Sequence, residues 1–265
     1  MPRIAPCLIL MLGLPASAGA QSRTEANLLV TIVGGVTSGS SLWVVDQQPL
    51  SLLGEPTLYD TLRLTRTLEP GISLGASATY FSSPHLGITA EIFFMGFGLD
   101  DGCEFVYTSP GSDEYNPQIC ADIAEHGGAA STIAFTLGGL YRFAPRGFAA
   151  PYLRLQGGVT ARNTSTVELV GRFTDVDGNI QTRLIIQDPG HSVLQPTLAT
   201  GIGVLVPLGP GYQAGLELRD NLLFIQTVTG PASHAATPTE TALKHGISLV
   251  ARFDIVLERK RGRRY

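Results

Sequence analysis

The chain has 265 residues, a net charge of −4, 31 glycines and only 15% charged residues. That length suits one large β domain, and the composition is poor for an acid- and lysine-rich soluble enzyme. A nucleic-acid footprint is absent as well, because clustered basic residues occur only at the far end and leave the rest distinctly acidic.

Residues 1–20 read as a secretory signal. Arg3 supplies the positive start, residues 7–14 are a short apolar run, and Ala18-Gly19-Ala20 is an A-x-A cleavage site before Gln21. The run is too short to span a bilayer. Cys7 leaves with the signal, so no lipid anchor is expected.

From residue 27 onward, apolar and polar residues alternate in eight segments. A period of two gives each set its own side of a strand. The first segment, 27–37, aligns Leu28, Val30, Ile32 and Val36. In the connection that follows, residues 57–68 also alternate, so either the next strand starts early or this connection holds a hairpin. The second segment, 71–81, sets Ile72, Leu74, Ala76, Ala78 and Tyr80 against Ser73, Gly75, Ser77 and Thr79, and Ser82-Ser83-Pro84-His85 is a tight turn. The third, 86–99, opposes Ile88, Ala90, Ile92 and Phe94 to Thr89 and Glu91.

The fourth segment, 131–143, alternates without a slip. Ile133, Phe135, Leu137, Gly139, Tyr141 and Phe143 oppose Thr132, Ala134, Thr136, Gly138, Leu140 and Arg142. A turn begins at Ala144-Pro145-Arg146-Gly147. The fifth, 152–162, points Leu153, Leu155, Val159 and Ala161 outward and Arg154, Gln156, Thr160 and Arg162 inward. The sixth, 197–208, has Leu198, Ile202, Val204 and Val206 outward and small Ala199, Gly201 and Gly203 inward, and ends at Gly209-Pro210-Gly211. In the seventh, 212–225, Leu216 and Leu218 oppose Gln213, Glu217 and Arg219. In the eighth, 246–257, Ile247, Leu249, Ala251, Phe253 and Ile255 oppose Ser248, Arg252 and Asp254.

Short turns alternate with long connections at 38–70, 100–130, 163–196 and 226–245. The uncharged stretch 192–216 is too broken by glycine and proline for a membrane helix. A barrel crosses lipid without a long apolar run, because its backbone groups are satisfied between strands. The fold expected over residues 21–257 is therefore an all-β, closed, antiparallel, up-and-down transmembrane barrel of about eight strands. Short turns and both termini would face the periplasm. Tyr80, Phe81, Tyr141, Phe143, Tyr152, Tyr212 and Phe253 fall near the turn ends, and Trp43, Phe94, Phe97 and Phe224 near the other ends, as two aromatic belts would.

With this topology, signal and belts, the chain resembles the small bacterial outer-membrane β-barrel proteins, the OmpA-barrel, OmpX and OmpW-like group. In the last strand, Gly246, Leu249, Ala251 and Phe253 resemble the signal read by the outer-membrane insertion machinery. The resemblance implies an outer-membrane location, contact with outer-membrane lipid, and that machinery as a partner during assembly.

Candidate lumen residues are Glu91, Arg142, Arg154, Gln156, Arg162, Glu217, Arg219, Arg252 and Asp254. An eight-stranded barrel has room only for side chains, so opposite charges should pair, with Glu217 and Arg252 at similar heights. The readings are a structural polar core, a narrow gated ion path, or a catalytic constellation. Cys103 and Cys120 are expected to form a disulfide in an oxidising compartment, since they lack zinc spacing. Their loop carries Asp100, Asp101, Glu104, Asp113, Glu114, Asp122 and Glu125, either a solvated surface or oxygen ligands for a divalent cation. Asp175-Val176-Asp177-Gly178-Asn179 reads as a hairpin turn, because no downstream glutamate completes a calcium loop.

His126, Ser131, His191 and His234 lie where a lipid-modifying enzyme would keep its nucleophile and base, but no motif ties them together. The ending Arg259-Lys260-Arg261-Gly262-Arg263-Arg264, within a tail at 258–265, touches anionic head groups or is a solubilising end. The expected function is non-enzymatic: envelope structure or surface interaction through the loops, with a narrow porin-like channel or carrier as the alternative. No cofactor, metal or nucleic acid is expected.

Overall fold

The computed structural model describes residues 27–145, 147–162, 165–188, 190, 194–209, 211–233 and 237–257. The expected signal and the basic tail lie outside the described residues.

Eight antiparallel strands close a ring. In ring order they are β1 (Asn27–Thr37), β4 (Gly71–Phe81), β5 (Leu86–Tyr107), β6 (Gly128–Arg142), β7 (Ala150–Arg162), β10 (Leu194–Gly209), β11 (Tyr212–Val228) and β12 (Thr239–Leu257). β12 pairs back onto β1 from Leu28↔Leu257 to Thr37↔Ser248. Ring order is chain order, so the barrel is up-and-down. β1 has 11 residues, within the ~9–11 that a tilted strand needs to cross a bilayer.

The outward set on these strands is apolar, with Ile32, Ile88, Leu137, Ile202 and Leu249 all exposed. The inward set fills the lumen in three layers. Leu29, Phe81, Leu140, Tyr152 and Leu205 pack together at the end with the short turns, here the lower end. A charged layer lies above them. Val33, Phe93, Met95, Leu223 and Val250 belong to the apolar cluster of the upper end. Glycines allow this closure: a Cβ on Gly201 would stand 2.6 Å from Glu217 Oε1.

The upper end is more ordered than the sequence suggests. The first long connection is a hairpin, β2 (Ser41–Ser51) and β3 (Tyr59–Glu69), and β3 pairs with the upper half of β5. The alternation at 57–68 therefore belongs to a separate strand, and β4 starts at Gly71. The third strand does not stop at residue 99; β3 gives its upper half a pairing partner as far as Tyr107. The second connection holds the helix α1 (Tyr115–Glu125), and the third holds a detached hairpin, β8 (Leu169–Thr174) and β9 (Ile180–Ile186). The last connection shortens, because β11 and β12 stay paired up to Val228↔Thr239.

These pieces form a cap whose core is continuous with the upper apolar layer of the lumen. Leu42, Trp43, Leu62 and Leu64 from β2 and β3 pack in one cluster with Ile119 and Ile123 of α1 and Leu169 and Ile186 of the detached hairpin. Buried polar groups tie it together: Arg66 donates to Asp101 through Nε at 2.6 Å and Nη2 at 2.8 Å, and to Glu168 O through Nη1 at 2.7 Å.

The aromatic belts need correction. Tyr80, Tyr141, Phe143, Tyr212 and Phe253 do face outward at the lower end. Phe81 and Tyr152 are buried in the lumen, and Trp43 and Phe97 in the upper core. Strand phase decides this, since adjacent residues such as Tyr80 and Phe81 must face opposite sides. Of the expected upper belt, Phe94 and Phe224 remain half-exposed.

Candidate functional site

Alternation on neighbouring strands brings Glu91 of β5, Tyr152 and Arg154 of β7, Glu217 and Arg219 of β11, and Arg252 and Asp254 of β12 into one lumen layer. Arg154 pairs with Glu91 through Nη1, and its Nη2 lies 3.2 Å from Glu217 Oε2. Arg219 pairs with Glu91 through Nη1 and donates from Nε to Glu217 Oε1 at 2.9 Å. Arg252 reaches Glu217 Oε2 at 3.4 Å, Asp254 Oδ1 at 3.0 Å and Thr31 Oγ1 at 3.2 Å. The Tyr152 hydroxyl donates to Glu217 Oε2 at 2.6 Å. The Arg219 guanidinium also lies 4.3 Å from the centre of the Phe93 ring.

A buried charge is tolerable only when paired and hydrogen-bonded. Both oxygens of Glu91 and both of Glu217 are engaged by arginine. The layer neutralises itself.

Of the other three expected lumen residues, Gln156 and Arg142 stand at its margin. Gln156 Oε1 is 3.4 Å from Arg154 Nη1. Arg142 is buried lower down, its guanidinium 3.7 Å from the centre of the Phe81 ring, with no carboxylate within 4 Å among the described residues. Arg162 is not part of the layer. It sits at the top of β7, 3.4 Å from Thr166 Oγ1, because β7 has by then risen into the cap.

Cys103 and Cys120 are bonded to each other, stapling α1 to the upper half of β5. The acidic residues of that connection are dispersed. Asp101 holds Arg66, Asp113 Oδ1 accepts from the amides of Tyr115 and Asn116 at the start of α1, and Asp122 accepts from Arg172. Among the described residues no group of three or more His, Cys, Asp or Glu is placed to hold a metal ion. His126 Nδ1 lies 3.1 Å from Asp122 Oδ1 at the exposed end of α1, and Ser131 follows on β6. His191 and His234 lie outside the described residues. The segment Asp175–Asn179 is the turn between β8 and β9, with the Asp175 amide donating to Asn179 O at 2.9 Å.

The cap also contains a cleft of about 660 Å³ that sequence reasoning missed, within the usual ~300–1,000 Å³ of ligand sites. Leu50 and Ser51 of β2 form one wall, Arg183 and Leu184 of β9 the other, and Tyr59 stands at its mouth. Arg183 bridges the walls, donating to Ser51 O at 2.8 Å and Ser51 Oγ at 2.7 Å. Burial lowers the Arg183 pKa, and Asp113 opposes that shift. The only advance signal was the alternation of residues 57–68. By contrast, the cavity between β7 and β11, beside Phe97 and Leu223, holds only about 20 Å³, about one water.

No family model matches this chain, and no curated protein does. Among solved structures it is similar to the outer membrane protein OprG from Pseudomonas aeruginosa, at 12% identity over 89% of this chain and 98% of that one, with a TM-score of 0.48. It is similar to Neisserial surface protein A at 12% identity over 87% and 97%, TM-score 0.43. It is similar to the outer membrane protein AlkL at 10% identity over 96% and 100%, TM-score 0.42.

Proposed function

We propose that this chain is a non-enzymatic outer-membrane barrel that works through its folded upper cap, as a surface-interaction protein. The observation that carries the reading is the filled lumen: an apolar layer and a self-neutralised ionic layer lie in series under a second apolar layer that is continuous with the core of the cap. A barrel filled in this way anchors what it carries. The apolar exterior supports a place in lipid, the disulfide supports an oxidising side for the cap, and the cleft supplies a binding surface. The partners of the barrel itself are outer-membrane lipid and, during assembly, the insertion machinery.

Planar-bilayer recording of the purified protein tests this reading. No steady conductance is expected. Steady openings that change on Arg154→Ala or Arg219→Ala would overturn it in favour of the narrow channel.

A further inference from the structure

We infer that the cap cleft binds a small organic monocarboxylate with an apolar body, seating its carboxylate on the open edge of the Arg183 guanidinium. The inference rests on the surface-interaction reading above and gives it a ligand class.

Arg183 is the one charged residue in the cleft lining. It is held from one end only: Nη1 and Nη2 donate to the carbonyl and hydroxyl oxygens of Ser51. Both acceptors are neutral. Among the described residues, no carboxylate lies within 4 Å of this guanidinium. Asp113 acts on Arg183 from farther off, and its oxygens already accept from the amides of Leu53, Tyr115 and Asn116.

The Nε–H of Arg183 has no partner, and Nε is not among the enclosed polar atoms, so it stays open to solvent. With the second N–H of Nη2 it makes an edge of two parallel donors, the geometry that grips a carboxylate. The chain uses this same edge twice elsewhere. Nε and Nη2 of Arg66 take Asp101, and those of Arg252 take Asp254. On Arg183 the edge is offered to the cleft instead.

The rest of the lining selects what carries the carboxylate. Leu50, Ile185 and Ala232 are buried and form an apolar floor, which Pro49, Pro56 and Leu184 extend. Such a surface gains from covering an apolar body. Gln48 is spent on Ala232 and on the Pro49 carbonyl, so it does not serve a strongly polar ligand. No acidic residue lines the cleft. A ligand ammonium would lose its water there without a counter-charge, which disfavours amino acids and basic peptides. One guanidinium answers one negative charge, which favours a carboxylate over a doubly charged phosphate ester. The cleft volume of about 660 Å³ admits a molecule of this kind.

The experiment uses the full chain in lipid nanodiscs, with phenylbutyrate as the probe. Phenylbutyramide keeps the body and drops the charge, and acetate keeps the charge and drops the body. In methyl-detected NMR, phenylbutyrate should contact the methyl groups of Leu50 and Ile185 and shift the Nε–H resonance of Arg183. Each control should bind at least about tenfold weaker, a loss of about 1.4 kcal/mol. Arg183→Lys keeps the charge without the paired donors and should weaken phenylbutyrate about tenfold. Arg183→Gln should make phenylbutyrate and its amide bind alike. The comparison of the two probes on the unaltered protein does not depend on how the variants fold. Equal binding of acid and amide there overturns the proposal, as do contacts to methyl groups outside the cleft. Conductance separates this from the parent reading: a silent bilayer with no phenylbutyrate binding removes the ligand class and leaves a surface protein.

Discussion

The Tyr152 hydroxyl donates to Glu217 Oε2 at 2.6 Å, so the lower apolar layer and the ionic layer are joined through one bond between β7 and β11. Tyr152→Phe removes that donor and keeps the ring. A hydrogen bond to a charged group contributes about 1.5–3 kcal/mol, and the barrel should lose stability of that order. Urea unfolding followed by gel mobility of the folded and unfolded forms measures it.

Glu217→Ala should cost more. It strips Arg154, Arg219 and Arg252 of a shared partner, and breaking a buried pair costs about 3–5 kcal/mol. Gly201→Val attacks the same carboxylate by crowding, since its Cβ would lie 2.6 Å from Oε1, and overpacking costs about 1–3 kcal/mol. The same urea series should rank Glu217→Ala as the weaker barrel of the two. Equal losses would mean that the ion pairs contribute no more than packing.

Reduction of Cys103–Cys120 should loosen the cap and spare the barrel. The bridge closes a loop with a sequence separation of 17, for which the chain-entropy model gives about 3 kcal/mol. Limited proteolysis with and without reductant should show new cuts around residues 108–127, with gel mobility of the barrel unchanged.

The detached hairpin should respond to acid through its turn. Asp175 accepts from the Gln181 side chain and from the amides of Asn179 and Asp177, and these bonds lower its pKa below the ordinary carboxylate value. A carboxyl depressed in the folded state adds stability that is present above its unfolded pKa and is lost as pH falls through the folded one. Amide exchange on β8 and β9 should therefore quicken only below the usual carboxylate range. Asp175→Asn should flatten that dependence.

The helix α1 depends on the absence of a side chain at Gly171. A Cβ there would stand 2.6 Å from Ile119 Cγ2 and 3.1 Å from the Ile119 carbonyl. Gly171→Val should push α1 from β8 and speed amide exchange in α1, with the barrel strands unaffected.

The barrel was legible because its signal is repetitive. Each strand has lipid on one side and packed lumen on the other, so Ile133 to Phe143 declare their side every second residue. Glu91, Arg154, Glu217 and Arg252 were legible as a set for the same reason. The cap was not. Its strands β8 and β9 have only 6 and 7 residues, its pieces meet residues distant in sequence, and Pro117 hides a helix by falling in the first turn, where its missing N–H does no harm. Phe81 and Tyr152 suit a belt by residue type, but strand phase turns both into the lumen. Arg183 and Tyr59 gained meaning only when two hairpins from different connections were brought face to face.

The ionic layer draws its members from β5, β7, β11 and β12, and reaches Thr31 on β1. Arg219 and Arg252 each find a carboxylate on their own strand, whereas Glu91 meets its arginines only when the sheet curls β5 round toward β7 and β11. Curling, rather than the seam where β1 adds only the neutral Thr31 hydroxyl, is what makes the interior electrically quiet.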